Sequence, residues 1–116
     1  MTNQEAFDVM VRHAREQGVK ALNGERKCRY RGNGGTKCFV GALIPDAEYT
    51  VMLEGKPAIS LSRMLPCLHG LTADFLDYMQ AIHDRDAVST WEQCFANAAH
   101  VFGLTLPPLD SEVPNA

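Results

Sequence analysis

Gly32-Asn33-Gly34-Gly35 is the densest turn signal in the chain, and it lies between two short strand-like runs, Lys27–Arg31 and Thr36–Val40. A Gly/Asn run flanked in this way predicts a β-hairpin. With Asn33 near the centre of the loop, Cys28 falls opposite Cys38 and Tyr30 opposite Thr36. Side chains alternate along a strand, so Cys28, Tyr30, Cys38 and Val40 share one face, while Arg29, Arg31, Lys37 and Phe39 share the other. An isolated hairpin is marginally stable in water, so the Cys/Tyr/Val face must pack on something. The glycines specify the register weakly, and a slip of one residue would exchange the faces.

The remaining periodicity is helical. Thr2 and Glu5 form a capping-box pattern, and Phe7, Met10, Val11 and Ala14 then recur on one helical face, with Gly18 placed to stop the helix. Asp46–Tyr49 can make a short helix after Pro45, and Ile59, Leu61, Met64 and Leu65 suggest another before Pro66. Thr72 is a candidate N-cap for a helix burying Phe75, Leu76, Met79, Ile82 and His83, with Asp77, Gln80 and Asp84 off that face. Ser89 and Glu92 form a second capping box, starting a helix that turns Trp91, Cys94, Phe95, Ala98, Val101 and Phe102 inward and ends at Gly103.

The expected class is therefore α+β, predominantly α: one β-hairpin packed on a bundle of four to five helices. Residues 1–105 form the expected compact domain, with 106–116 as an extended or disordered tail. A chain of 116 residues with 46% hydrophobic and 22% charged residues suits one globular core. No apolar run approaches the ~20 residues needed to span a bilayer, and MTNQEAFD lacks the features of a signal peptide. The expectation is a cytoplasmic protein with no membrane partner and reduced cysteines. Charge is divided along the chain: basic residues dominate 1–37 and acidic residues dominate 38–116. That polarity suits an acidic partner against the hairpin or a basic one against the C-terminal helices.

No metal, nucleotide or catalytic motif of high specificity appears, and no cofactor is expected. Four weaker constellations are present. Cys28, Cys38, Cys67 and His69 are a possible zinc set if the hairpin folds onto the Pro66 loop, although the first pair lacks the close spacing of structural zinc sites. A disulfide between Cys28 and Cys38 is the alternative use of those thiols. Cys38 could instead act as a nucleophile, with His69 or His83 as base and Asp84 as its orienter. His83-Asp84 alone is a pair of the kind found in metal phosphohydrolases, but on an apolar helical face a histidine is more often a hydrogen-bonded core residue. Arg26, Lys27, Arg29, Arg31 and Lys37 could meet phosphates of a nucleic acid, a reading opposed by the sequence pI near 5.7.

The stretch CRYRGNGGTKCFVGALIPDAEY, with Cys28, Tyr30, Arg31, Lys37, Cys38, Gly41, Ile44, Pro45, Asp46 and Tyr49, resembles a pattern in small, mostly uncharacterised proteins of bacteriophages and bacterial genomes. Later, His83-Asp84 and Trp91 fit the same pattern, which covers roughly residues 24–103. The resemblance carries no activity. It implies a small phage-type accessory protein that binds a host or bacterial protein, as a modulator or inhibitor of a defence or regulatory factor. On this expectation the protein is not an enzyme, and Arg29, Arg31 and Lys37 make charged partner contacts with Phe39 as an apolar anchor. The alternatives are the Cys38 enzyme and a nucleic-acid-binding accessory protein.

Overall fold

A computed structural model describes residues 1–109. Among the described residues four α-helices carry the structure: α1 (Asn3–Gln17), α2 (Ala58–Met64), α3 (Ala73–Arg85) and α4 (Trp91–Phe102). The capping box forms at Thr2, whose hydroxyl accepts from the Glu5 amide while the Glu5 carboxylate accepts from the Thr2 amide. Gly18 and Gly103 end α1 and α4 in the left-handed conformation. Every residue expected on the inner face of α3 is buried there, including His83. α3 packs against both α2 and α4, and α1 packs against the 3-10 turn Gly41–Leu43.

Two helix starts differ from the sequence expectation. Ser89 does not cap α4, because the 3-10 turn Val88–Thr90 runs directly into the helix and Glu92 is drawn away to Arg15, 2.7 Å distant. Thr72 occupies the N-cap position of α3, but its hydroxyl and amide are both held by Asn3 of α1. Val101, expected inside, is exposed on the outer side of α4.

The α+β class and its β-hairpin are not what forms. Among the described residues there is no strand; the segment 18–40, called the arm below, contains two isolated antiparallel bridges, Leu22 with Cys28 and Arg31 with Lys37. The bridge at Arg31–Lys37 puts Tyr30 opposite Cys38 rather than Thr36, and the Cys38 amide donates to the Tyr30 carbonyl. No ladder grows from it, for two local reasons. Ahead of the bridge, the amides of Tyr30 and Arg31 donate to the Glu54 carboxylate at 2.9 and 3.1 Å, so a side chain takes the place of a strand partner. Beyond it, the chain coils at once: the Ala42 amide bonds the Cys38 carbonyl, and Gly41–Leu43 is a 3-10 turn. That coil needs Gly41, since a Cβ there would stand 2.0 Å from the Tyr30 carbonyl oxygen.

The alternation of faces fails with the ladder. Phe39, placed on the outer face by the hairpin reading, is 1% exposed. Its ring sits at the centre of an aromatic cluster, 4.9 Å from Trp91, 5.3 Å from His83 and 5.5 Å from Phe95 between centroids. Edge-on ring packing of this kind adds to the gain from burying the apolar surface. A second cluster joins Phe7, Phe75, Phe102 and Tyr78 across α1, α3 and α4.

After Gly103 the chain lies back along α1. Gln4 holds both polar groups of Thr105, accepting from its amide and donating to its carbonyl, and Arg15 donates to the carbonyls of Pro107 and Pro108. Pro107 and Pro108, placed in the tail by the sequence, are thus held by α1; residues 110–116 of that expected tail lie outside the described residues. No described helix is long and apolar enough to cross a membrane.

Candidate functional site

The residues expected to bind a partner are committed elsewhere. Arg31 donates to Asp46 at 2.7 Å and to the Ile44 carbonyl, and its guanidinium lies 4.4 Å over the Tyr49 ring. Lys37 stands 3.8 Å from the same Asp46 carboxylate. Arg29 approaches Glu54 at 3.7 Å. These three cations answer local carboxylates, and Phe39 is interior. In this basic stretch the exposed side chains are Arg26 and Lys27 at the tip of the arm, with Glu25 close to Lys27.

The cysteine constellations do not assemble either. Cys38 is fully buried, its sulfur accepts from the Gly41 amide, and burial pushes its thiol up to about 12. A thiol held protonated in this way is a poor nucleophile. Among the described residues no hydrogen bond joins Cys38 to His69 or His83, and His69 stands exposed after the 3-10 turn Pro66–Leu68. All four cysteines are free thiols, so Cys28 and Cys38 form no disulfide. Burial also raises Cys67 and Cys94.

Among the described residues, the metal-type side chains that converge are Cys28, His83 and Asp84, with ligand atoms within 4.8 Å of one another, and not the expected Cys28, Cys38, Cys67 and His69. The hydrogen bonds determine what this group can do. The Ala21 amide can only donate, and it points at His83 Nε2 from 3.0 Å, so that nitrogen carries a lone pair. The ring proton of the neutral imidazole is then on Nδ1, donated to Asp84 Oδ1 at 2.8 Å. Neither nitrogen offers a free lone pair to a metal. Cys28 is pushed up to about 11, by burial first and the Asp84 charge second, so its thiol keeps its proton as well. The cluster is a hydrogen-bond relay that ties the arm to α3.

Beside this relay lies an open cleft of about 580 Å³. Cys28 to Tyr30 of the arm form one wall, the turn from Glu54 to Ala58 another, and α3 the third. α3 contributes Asp77, Gln80, Ala81, Asp84 and Arg85, the spacing of one polar helical face. Tyr30 braces the walls by donating its hydroxyl to the Lys56 carbonyl, and burial raises its pKa. Lys56, Asp77 and Arg85 are exposed and form no ion pair among the described residues.

Sequence reasoning passed over Glu54, Lys56, Asp77, Gln80 and Arg85. The α3 members were visible as the helix's polar side. Nothing local marked that side as one wall of a cleft, because the opposite walls come from residues 28–30 and 54–58. Comparison of the chain with protein families, with curated proteins and with solved structures returned no match.

Proposed function

We propose that this is a binding protein without a catalytic cysteine centre, and that it engages a partner protein at the cleft between the arm and α3. The observation that carries the reading is the distribution of uncommitted charge. The arm's Arg29, Arg31 and Lys37 are answered by Glu54 and Asp46, whereas Lys56, Asp77 and Arg85 stand unpaired around a concave surface. Charges of both signs at one rim suit a polypeptide segment with its own alternating charges, and they steer and orient such a partner. The partner class remains the one expected from the sequence, a host or bacterial protein, with the contact moved from the arm's basic residues to the cleft.

The test is affinity capture from bacterial lysate with the tagged protein and three variants. Ala81→Trp fills the cleft, Lys56→Glu reverses its rim, and Arg26→Glu reverses an exposed charge at the arm tip. A band recovered with the unmutated protein should weaken at least about tenfold with Ala81→Trp and Lys56→Glu, the order of effect expected for a central steric block or a lost charge pair. It should persist with Arg26→Glu. Equal recovery with all three folded variants would remove the cleft from consideration.

A further inference from the structure

Two Asn-Gly pairs lie in the arm, Asn23-Gly24 and Asn33-Gly34, and the sequence alone gives them equal standing. Asparagine before glycine is prone to spontaneous ring closure, because glycine has no Cβ to hinder attack by its amide nitrogen on the preceding carboxamide. The fold treats the two pairs differently. Asn23 Oδ1 accepts from the amides of Glu25 and Lys27 at 2.8 and 3.0 Å, an Asx turn extended by one more bond. Its main chain is tied as well: the Asn23 amide donates to the Lys27 carbonyl, and the Asn23 carbonyl accepts from the Arg26 amide. Presenting Asn23 Cγ face-on to the Gly24 nitrogen gives up the two side-chain bonds.

Asn33 is the opposite case. Its side chain is exposed and forms no hydrogen bond among the described residues. A Cβ built on Gly34 or Gly35 would meet nothing within 4 Å, so solvent reaches the turn. The Gly34 amide likewise has no partner among the described residues. The restraint that remains is on the Asn33 carbonyl, which accepts from the Thr36 hydroxyl at 2.7 Å and more loosely from the Thr36 amide at 3.3 Å.

We propose that Asn33-Gly34 is a site of spontaneous covalent modification, deamidating in the folded protein while Asn23-Gly24 is kept intact. Hydroxide from solvent removes the Gly34 amide proton, and the nitrogen's electron pair forms a bond to Asn33 Cγ. The Cγ–Nδ2 bond then breaks, and Nδ2 takes a proton from water and leaves as ammonia. Water opens the resulting succinimide. Cleavage at Cγ gives aspartate, and cleavage at the main-chain carbonyl gives isoaspartate, whose chain runs through Cβ and Cγ. The balance is one water consumed and one ammonia released, with no change of oxidation state. Isoaspartate lengthens by one backbone atom the turn that closes the Arg31–Lys37 bridge and bonds the Leu22 carbonyl through the Asn33 amide. The modification therefore acts on the arm itself and is independent of what the cleft binds.

The test ages the whole protein in mildly alkaline buffer, folded and in parallel in concentrated urea, and maps it by trypsin and mass spectrometry. Cleavage at lysine and arginine places the two pairs in separate peptides, Ala21–Arg26 and Gly32–Lys37. In the folded protein Asn33 should convert at least about tenfold faster than Asn23, the effect of two hydrogen bonds that must first break. In urea the two rates should converge. The product at Asn33 should include isoaspartate, detected by enzymatic methylation of its carboxylate. Thr36→Val removes the hydroxyl bond to the Asn33 carbonyl and should speed the reaction roughly threefold to tenfold, the worth of one hydrogen bond. Equal rates for the two pairs in the folded protein overturn the proposal. So does an Asn33 that stays intact in the folded protein over the time in which urea converts it.

Discussion

In α1, α3 and α4 the backbone bonds to itself in a regular series, whereas the arm combines irregular backbone bonds, such as Arg29 N–H to the Ala21 carbonyl and Asn33 N–H to the Leu22 carbonyl, with side chains sent from elsewhere. Glu54 takes the amides of Tyr30 and Arg31, Gln17 takes both polar groups of Lys37, and His83 takes the amide of Ala21. A helix therefore spreads its stability over many equivalent bonds and contacts, while the arm adds to its irregular backbone bonds a handful of long-range side-chain anchors. Single substitutions should expose that difference sharply.

Phe39 is the severest case, since it is where the arm's end enters the core. Phe39→Ala should cost about 3–5 kcal/mol, the range for truncating a buried aromatic ring. Chemical denaturation would read this as a large fall in midpoint with an unchanged slope. A cost below about 1 kcal/mol would mean that the ring is not wedged between α3 and α4, and the arm would be an independent flap rather than part of the core.

The helices were legible in the sequence because their signals are local: a capping box at Thr2, a 3.6-residue apolar period in α1 and α3, and glycines at 18 and 103. The arm was misread for the same reason. Its glycines predict a hairpin turn, and a bridge does form at Arg31–Lys37, but the competitors for the arm's amides are Glu54, more than twenty residues away, and His83, more than fifty. Neither stands in any periodic relation to the residues it holds. Gly41 serves a close backbone approach to Tyr30, which no local pattern announces. His83 was recognisable as a core histidine from its place on the α3 face, but its partner, the Ala21 amide, was not. The cleft was illegible because its three walls are far apart in sequence.

A smaller effect, more specific to the arm, is expected at Glu54. Its Oε1 accepts from the Tyr30 amide, and its Oε2 from both the Arg31 amide and the Tyr49 hydroxyl at 2.7 Å. Glu54→Gln keeps the shape but turns a donor toward one of those donors. The cost should be about 2 kcal/mol, the usual worth of a hydrogen bond to a charged group plus part of the penalty for an orphaned amide. Hydrogen exchange checks where the loss falls: the amides of Tyr30 and Arg31 should exchange faster by more than the global destabilisation explains, while those of α4 track it. Uniform acceleration along the chain would show that the arm and the helical body share one cooperative unit, and the contrast drawn between them would be wrong.

The mildest test lies at the arm's tip. Arg26 has a positive φ of 62° and an exposed side chain, while its amide bonds the Asn23 carbonyl. Left-handed backbone is unfavourable for most side chains, by roughly 1 kcal/mol, and asparagine tolerates it better. If the arm is held by remote side chains acting on its backbone, the identity of an outward-facing residue here matters little beyond that local preference. Arg26→Asn should then stabilise the fold by about 0.5 kcal/mol, a fraction of the left-handed penalty, read as a small rise in denaturation midpoint. A loss of about 1 kcal/mol or more, the size typical of a removed side-chain contact, would mean that the guanidinium itself holds the arm. The arm's polar framework would then extend to its tip, and the use of Arg26→Glu as an inert control in the binding experiments would have to be abandoned.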